Sequence, residues 1–193
     1  MLENDTLDKI ALDIKNCKLC LLCSTRKHTV PGEGGFLKKL MIIGEAPGYY
    51  EDQTGRPFIG AAGKILRNTL SKNDINFKDV FITNIIKCRP PNNRQPYINE
   101  KKICIQYLER QILVLQPKII CLLGNVVSSY ILGIKSITNE RGRILHNNDL
   151  NYFVTYHPAA TIYNRNLLNI FEQDIKKLSE YISFNYSDLE KSY

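Results

Sequence analysis

Three sets of residues in this chain have types and spacings that could do chemistry. The first lies in GEAPGYYEDQTGRPFIG (44–60), where Glu45, Glu51, Asp52 and Arg56 stand among Gly44, Pro47, Gly48, Gly55, Pro57 and Gly60. That density of breakers predicts a loop that continues neither strand nor helix. The second set is sulfur: Cys17-x-x-Cys20 with Cys23 close behind, then Cys88 and Cys104. The third is two polar residues near the ends of apolar runs, Asn84 in VFITNII (80–86) and His157 in TYHPA (155–159). Singly these signals are weak, because an Asn at a strand end often bonds local backbone and a lone His is more often a structural hydrogen bonder. Four thiolates, however, are what a metal centre needs. They suit a tetrahedral zinc and a [4Fe-4S] cluster equally, and spacing does not separate the two.

The elements that must position these groups follow from periodicity. Leu40 to Ile43, Val80 to Ile86, Ile119 to Leu123 and Tyr152 to Val154 are short apolar runs of the kind buried on both faces of a parallel sheet. Between them, apolar residues recur at helical spacing from about residue 5 to 16, from Ala62 to Leu70, from Glu100 to Leu115 and from Leu168 to Ile182, with a short helix from Gly124 to Leu132. Arg143 to Leu145 and Asn151 to Thr155 read as a hairpin turning at His146-Asn147-Asn148-Asp149. The pattern predicts one α/β domain over 1–193, a three-layer sandwich whose central four-stranded parallel sheet is flanked by helices, with about 184–193 as a frayed tail. Glu45, Asn84 and His157 then fall at strand exits, where open α/β sheets bind ligands. Cys121, inside IICLL, reads as a small core residue.

Composition narrows the classes. At 193 residues and 44% apolar content there is enough chain for one well-buried core and too little for two. A formal charge of +7 fits a polyanionic partner without demanding one. No stretch approaches the roughly 20 apolar residues of a membrane span. Residues 1–17 carry acids where a signal peptide would be basic, so a cytoplasmic location is expected. In that reducing compartment six cysteines read as ligands or buried thiols, not disulfides.

Together GEAPGYYEDQTGRPFIG (44–60), ITNIIKCRPPNNRQP (82–96) and TYHPA (155–159), in this order and with these four cysteines, resemble the three motif blocks of the family 4 uracil-DNA glycosylases, iron–sulfur members of the uracil-DNA glycosylase superfamily. The likeness extends from Cys17 to the last helix. It implies removal of uracil from DNA and a [4Fe-4S] cluster held by Cys17, Cys20, Cys88 and Cys104. It also implies that Glu45, Asn84 and His157 are the catalytic residues: Asn84 reads the edge of the extruded base, His157 contacts its O2, and Glu45, in the loop that with Ala46 faces the sugar, positions water or the pocket, while Gly44, Ala46 and Gly48 help bind the base and Phe58 stacks on it. Exclusion of thymine falls to the block from Glu45 to Tyr49. Arg89 and Arg94, between two cluster ligands, would face DNA. Uracil-containing DNA is the expected partner and the cluster the expected cofactor; neither a membrane nor a nucleotide cofactor is expected, the chain is expected to be a monomer, and a sliding-clamp contact is not legible in it.

Three positions depart from the family pattern or extend it. Ala46 stands where better-known relatives carry a water-orienting aspartate, which family 4 generally lacks. Cys23 is an extra thiol beside the cluster ligands and is read as a bystander. After His157-Pro158-Ala159 the family usually continues toward Leu-Leu-Arg, whereas this chain reads ATIYNR (160–165), so Ile162 or Tyr163, beside Arg165, is assigned the wedge that fills the emptied base stack. Two other classes remain open at this point: a glycosylase of broader scope that also removes hypoxanthine, xanthine or ethenocytosine, and a non-catalytic nucleic-acid-binding protein with a four-cysteine zinc site.

Overall fold

Leu40 to Gly44 form strand β1, and all five residues are buried because neighbours cover both faces. Alternation divides the strand between two cores. Met41 and Ile43 pack with Ile10, Ile14, Leu108 and Val154, whereas Leu40 and Ile42 pack with Leu66, Leu70, Phe171 and Ile175. Those two cores define the three layers. The computed structural model describes residues 5–186, arranged as α1 (Leu7–Asn16), β1 (Leu40–Gly44), α2 (Tyr49–Thr54), α3 (Ala61–Ser71), β2 (Phe81–Asn84), α4 (Ile98–Leu115), β3 (Ile119–Leu123), α5 (Asn125–Leu132), β4 (Ile144–Asn147), β5 (Leu150–Thr155), α6 (Pro158–Tyr163) and α7 (Asn166–Tyr186).

The sheet order is β2-β1-β3-β5-β4. The first four strands run parallel, as their interleaved helices require, and β4 pairs antiparallel with β5. Register places Gly44 opposite Asn84 and Leu123 opposite Thr155. The carboxyl ends of all four parallel strands therefore stand in one row.

Four details differ from the sequence reading. The sheet has five strands, because β4 extends through Asn147 and the hairpin turns on Asn148 and Asp149 alone, both at positive φ (46° and 62°) as a two-residue type I′ turn requires. The breaker-rich stretch holds the short helix α2, whose buried Glu51 and Asp52 bind backbone and hold it in place. Strand β2 stops at Asn84; Ile85 and Ile86 leave the ladder and donate instead to the carbonyls of Gly44 and Glu45. Finally α7 continues to Tyr186, so residues 184–186 of the expected tail are helical, and 187–193 lie outside the described residues. Among the described residues no helix is long and apolar enough to cross a membrane.

A buried ion pair braces the last strand exit. Asp174 on α7 is fully buried, accepts from Arg141 Nε at 2.8 Å, and accepts from Thr155 Oγ1, at the end of β5, at 2.8 Å. Removing one member of such a pair strands the other. Asp174→Ala should destabilise the fold by roughly 3 kcal/mol, read as a lower urea midpoint; a loss below about 1 kcal/mol, the value of an exposed pair, would mean the clamp is solvated.

Candidate active site and cysteine pocket

At the row of strand ends, one absent side chain makes the site possible. A Cβ on Gly44 would lie 2.4 Å from Asn84 Oδ1 and 2.6 Å from Phe58 Cζ. Only glycine lets that amide and that ring meet over the end of β1. Asn84 is 2% exposed and Phe58 6%.

Phe58 reaches this position through a strained backbone, with φ at 51° in a residue that seldom adopts it. The strain is held from three sides. Gly63 lacks a Cβ that would sit 1.6 Å from the Phe58 carbonyl, Arg67 Nη2 donates to that carbonyl at 3.1 Å, and Glu51 Oε1 accepts from the amides of Ile59 and Gly60 at 2.9 Å each. Asp52 pins the other side of α2, accepting from the amide of Lys27 at 2.9 Å. Gly48 admits this arrangement, since a Cβ there would meet Glu51 Oε2 at 2.8 Å.

His157 enters from β5 with its ring centroid 6.0 Å from that of Phe58. Gly124, at φ +97°, clears its Cβ. The following Pro158 opens α6 at its first position, and His157 caps that helix: Nδ1 accepts from the amide of Ala159 at 3.1 Å. An accepting Nδ1 places the proton of a neutral ring on Nε2, leaving Nε2–H as the free donor. Desolvation by the surrounding protein pushes the imidazole pKa down to about 4, so the ring is neutral near pH 7.

Glu45 lies on the same edge. Burial raises its carboxyl pKa, opposed by the charge of Lys101 on α4. Ala46 turns toward the core beside α1 and α4 and packs there. The structure thus brings Gly44, Phe58, Asn84 and His157 to one place, with Glu45 adjacent.

The residues assigned to DNA contact divide. Tyr163 is 91% exposed and Ile162 47% exposed on α6, one turn beyond His157, and Arg165 is exposed just after it. Arg89 lies 5.2 Å over the ring of Tyr49, with Nε bonded to Asn93 Oδ1 at 2.7 Å. Arg94 is committed elsewhere: it forms a two-pronged pair with Glu100 at 2.9 and 2.7 Å and stacks 3.8 Å over Tyr97, bracing the start of α4.

Cys17, Cys20, Cys88 and Cys104 line one pocket between α1, the 87–89 loop and α4, walled by Ile14, Leu22, Ile86 and Tyr107. Cys23 lines it too, while Cys121 is buried in β3 within the other core. Two N–H groups already point at sulfur: Arg26 Nη1 to Cys88 Sγ at 3.2 Å and the Lys87 amide to Cys104 Sγ at 3.3 Å. Arg26 also donates to the Cys17 carbonyl at 2.8 Å. Burial pushes the thiols of Cys88 and Cys104 up to about 12 and about 11, against the opposing pull of Arg26 on Cys88 and of Lys87 on Cys104. Among the described residues no three His, Cys, Asp or Glu side chains stand close enough to hold one metal ion as they are. The donor set nevertheless suits an iron–sulfur group: the four expected thiols, with Cys23 as a fifth, line one apolar pocket with N–H donors to the sulfurs of Cys88 and Cys104.

The sequence marks Glu51 and Asp52 only as charges in a breaker-rich loop, gives them no structural role, and does not point to Arg26 or Lys87. Charged residues in a Gly/Pro-rich segment look solvated, and only tertiary placement shows them buried or aimed at backbone. Lys87, within a basic loop by sequence, is 0% exposed.

The family model described as the uracil DNA glycosylase superfamily matches residues 31–181. Among similar proteins are type-4 uracil-DNA glycosylases from Sulfurisphaera tokodaii (45% identity over 91% of this chain and 84% of the relative), Saccharolobus solfataricus (43%, 93% and 88%) and Archaeoglobus fulgidus (37%, 91% and 93%).

The His157 geometry fixes a pH dependence. Because its folded pKa lies below the ordinary 6.5, the unfolded chain binds the proton more readily; stability contributed by the neutral ring is complete above about pH 6.5 and is lost as pH falls toward about 4. Nitrogen NMR of labelled protein should show an Nε2–H tautomer unchanged from pH 8 to about 5. A His157 titration near 6.5 would contradict the assignment.

Proposed function

The chain belongs to the uracil-DNA glycosylase superfamily, within its type-4 branch, and from that premise we propose how its own residues hydrolyse the bond between uracil and deoxyribose in DNA, leaving an abasic site and opening base excision repair. The observation that carries this reading is the meeting of Asn84, Phe58 and His157 over Gly44 and Gly124. A base cannot be cut inside the stack, so uracil is extruded into a pocket that replaces stacking and pairing. Phe58 offers the ring face. The Asn84 amide supplies a donor for O4 and an acceptor for N3–H, a pattern that cytosine reverses. Mispairing of both groups gives selectivity of several powers of ten.

As the N1–C1′ bond breaks, the sugar becomes cationic and the bonding electrons leave with uracil, chiefly toward O2. His157 Nε2–H donates to that oxygen as charge develops, and a preorganised donor of this type contributes about 2.7–4 kcal/mol. A neutral imidazole suffices, since it stabilises the anion without losing its proton. Glu45 positions the water that completes the reaction at C1′; its raised proton affinity makes it a better acceptor than an exposed glutamate. Its neighbour Ala46 offers no carboxylate, so the site acts mainly by holding and polarising the leaving base. Arg89 and Arg165 contact the backbone, and Tyr163, the more exposed of the two wedge candidates, fills the gap in the stack with Ile162 beside it. Arg94 contributes indirectly, by shaping the loop. The reading takes residues 1–193 as a single cytoplasmic domain that acts as a monomer.

Cys17, Cys20, Cys88 and Cys104 are the proposed ligands of a [4Fe-4S] cluster, supported by their common pocket and the N–H donors from Arg26 and Lys87. Held by these four residues, a cluster would serve a structural role, tying the segment after α1 to the 87–89 loop and α4. Cys23 lines the same pocket without an assigned ligand role.

With a uracil-containing oligonucleotide and no added metal, the protein should produce alkali-labile abasic sites. Asn84→Ala and His157→Ala should each slow excision about 100- to 1,000-fold with iron content unchanged. Absence of scission on U·G, U·A and single-stranded substrates would overturn the reading. Purified protein should be brown and contain iron and sulfide, and Cys88→Ser should lose both along with solubility; colourless, zinc-rich protein would overturn the cluster assignment.

A further inference from the structure

Lys87 is a charged side chain that the mechanism above does not use, and it is fully buried. Its ammonium donates three hydrogen bonds: to Thr83 Oγ1 at 2.6 Å, to the carbonyl of Asn84 at 2.8 Å and to Gln111 Oε1 at 2.8 Å. The same partners are tied to one another. Thr83 Oγ1 and Gln111 Nε2 both donate to the carbonyl of Pro31, each at 2.8 Å. At its own backbone Lys87 accepts from the amide of Val30 and donates to Cys104 Sγ.

Burying an ammonium away from any carboxylate is a costly way to fill space, and an apolar side chain of similar volume would be expected to stabilise the fold more. What the lysine provides instead is direction. Strand β2 ends at Asn84, and the Lys87 ammonium fixes that last carbonyl at 2.8 Å while the side-chain amide of the same residue lies against Gly44. The anchor on the other side is a proposed cluster ligand.

We propose that Lys87 is a positioning residue for the base-reading amide: it sets the orientation of Asn84 through its backbone and couples that orientation to the cysteine pocket through Cys104. This rests on the assignment of Asn84 as the uracil reader. A side chain displaced by about 1 Å can lose about 100-fold in rate, so an unanchored Asn84 forfeits most of its contribution.

A double-mutant cycle with Lys87→Met and Asn84→Ala tests the coupling, with single-turnover excision rate, DNA affinity and iron content measured on each protein. Lys87→Met should slow excision about 100-fold in the wild-type background and by less than about 3-fold in the Asn84→Ala background, because a residue acting through Asn84 has nothing left to position. DNA affinity should change little, since the phosphate contacts lie elsewhere. Equal losses in both backgrounds would reduce Lys87 to a structural role and overturn the proposal while leaving the uracil reading intact. An Asn84→Ala protein with full activity would overturn the reading of Asn84 and the proposal together. Should Lys87→Met fail to fold or lose iron, Gln111→Met, which removes one of the three acceptors and keeps the Lys87 amide on Cys104, carries the same cycle: a loss confined to the Asn84 background supports the proposal, and an additive one overturns it.

Discussion

The void beside Gly44 is the constraint on which the rest of the site depends. An amide from one strand and an aromatic ring from a loop both occupy space that any other residue would fill with its own Cβ. The parallel register puts Gly44 level with Asn84, and the positive φ of Phe58 brings its ring back over the strand from a turn fourteen residues later. This explains why so much of the surrounding chain is spent on holding a short turn: Glu51 on two amides, Arg67 on one carbonyl, Gly63 giving way beneath it.

Buried polar groups carry this architecture, and each is matched. Among the described residues no buried side-chain nitrogen or oxygen lacks a partner. Asp52 and Glu51 take backbone amides, Asp174 takes a guanidinium and a hydroxyl, and Lys87 takes three oxygens. Burial makes such contacts directional and makes the loss of one partner expensive. The result is a ligand-facing edge whose side chains are located by hydrogen bonds from beneath, as a preorganised site requires.

The fold was legible where physics is local. Unbroken apolar runs marked β3 to the residue and β1 to within one, helical spacing marked α1 and α4, and the Asn148-Asp149 turn was bracketed by its polar flank. The strand exits that gather Gly44, Asn84 and His157 followed from the parallel topology. What could not be read was the three-dimensional placement of charge: that Glu51 and Asp52 fold inward under a breaker-rich segment, that Arg94 is taken by Glu100 and does not stand free, and that Lys87 is enclosed. Charge in a loop has no periodicity to betray its burial. The cysteine set was legible as a number and a resemblance, but the N–H groups of Arg26 and Lys87 that face the sulfurs depend on residues tens of positions apart.

The antiparallel strand β4 has a further consequence. A parallel sheet ending at β5 would present a long, apolar strand with unpaired amides to any neighbouring chain. Instead the margin is four residues long, its outer half (His146 and Asn147) is exposed and polar, and it turns back through a tight hairpin. At the opposite margin, Glu33 bridges to Ile82 and covers part of β2. Both flanks are thereby poor templates for strand addition, so a sheet with apolar cores on both faces resists annealing edge to edge with its copies.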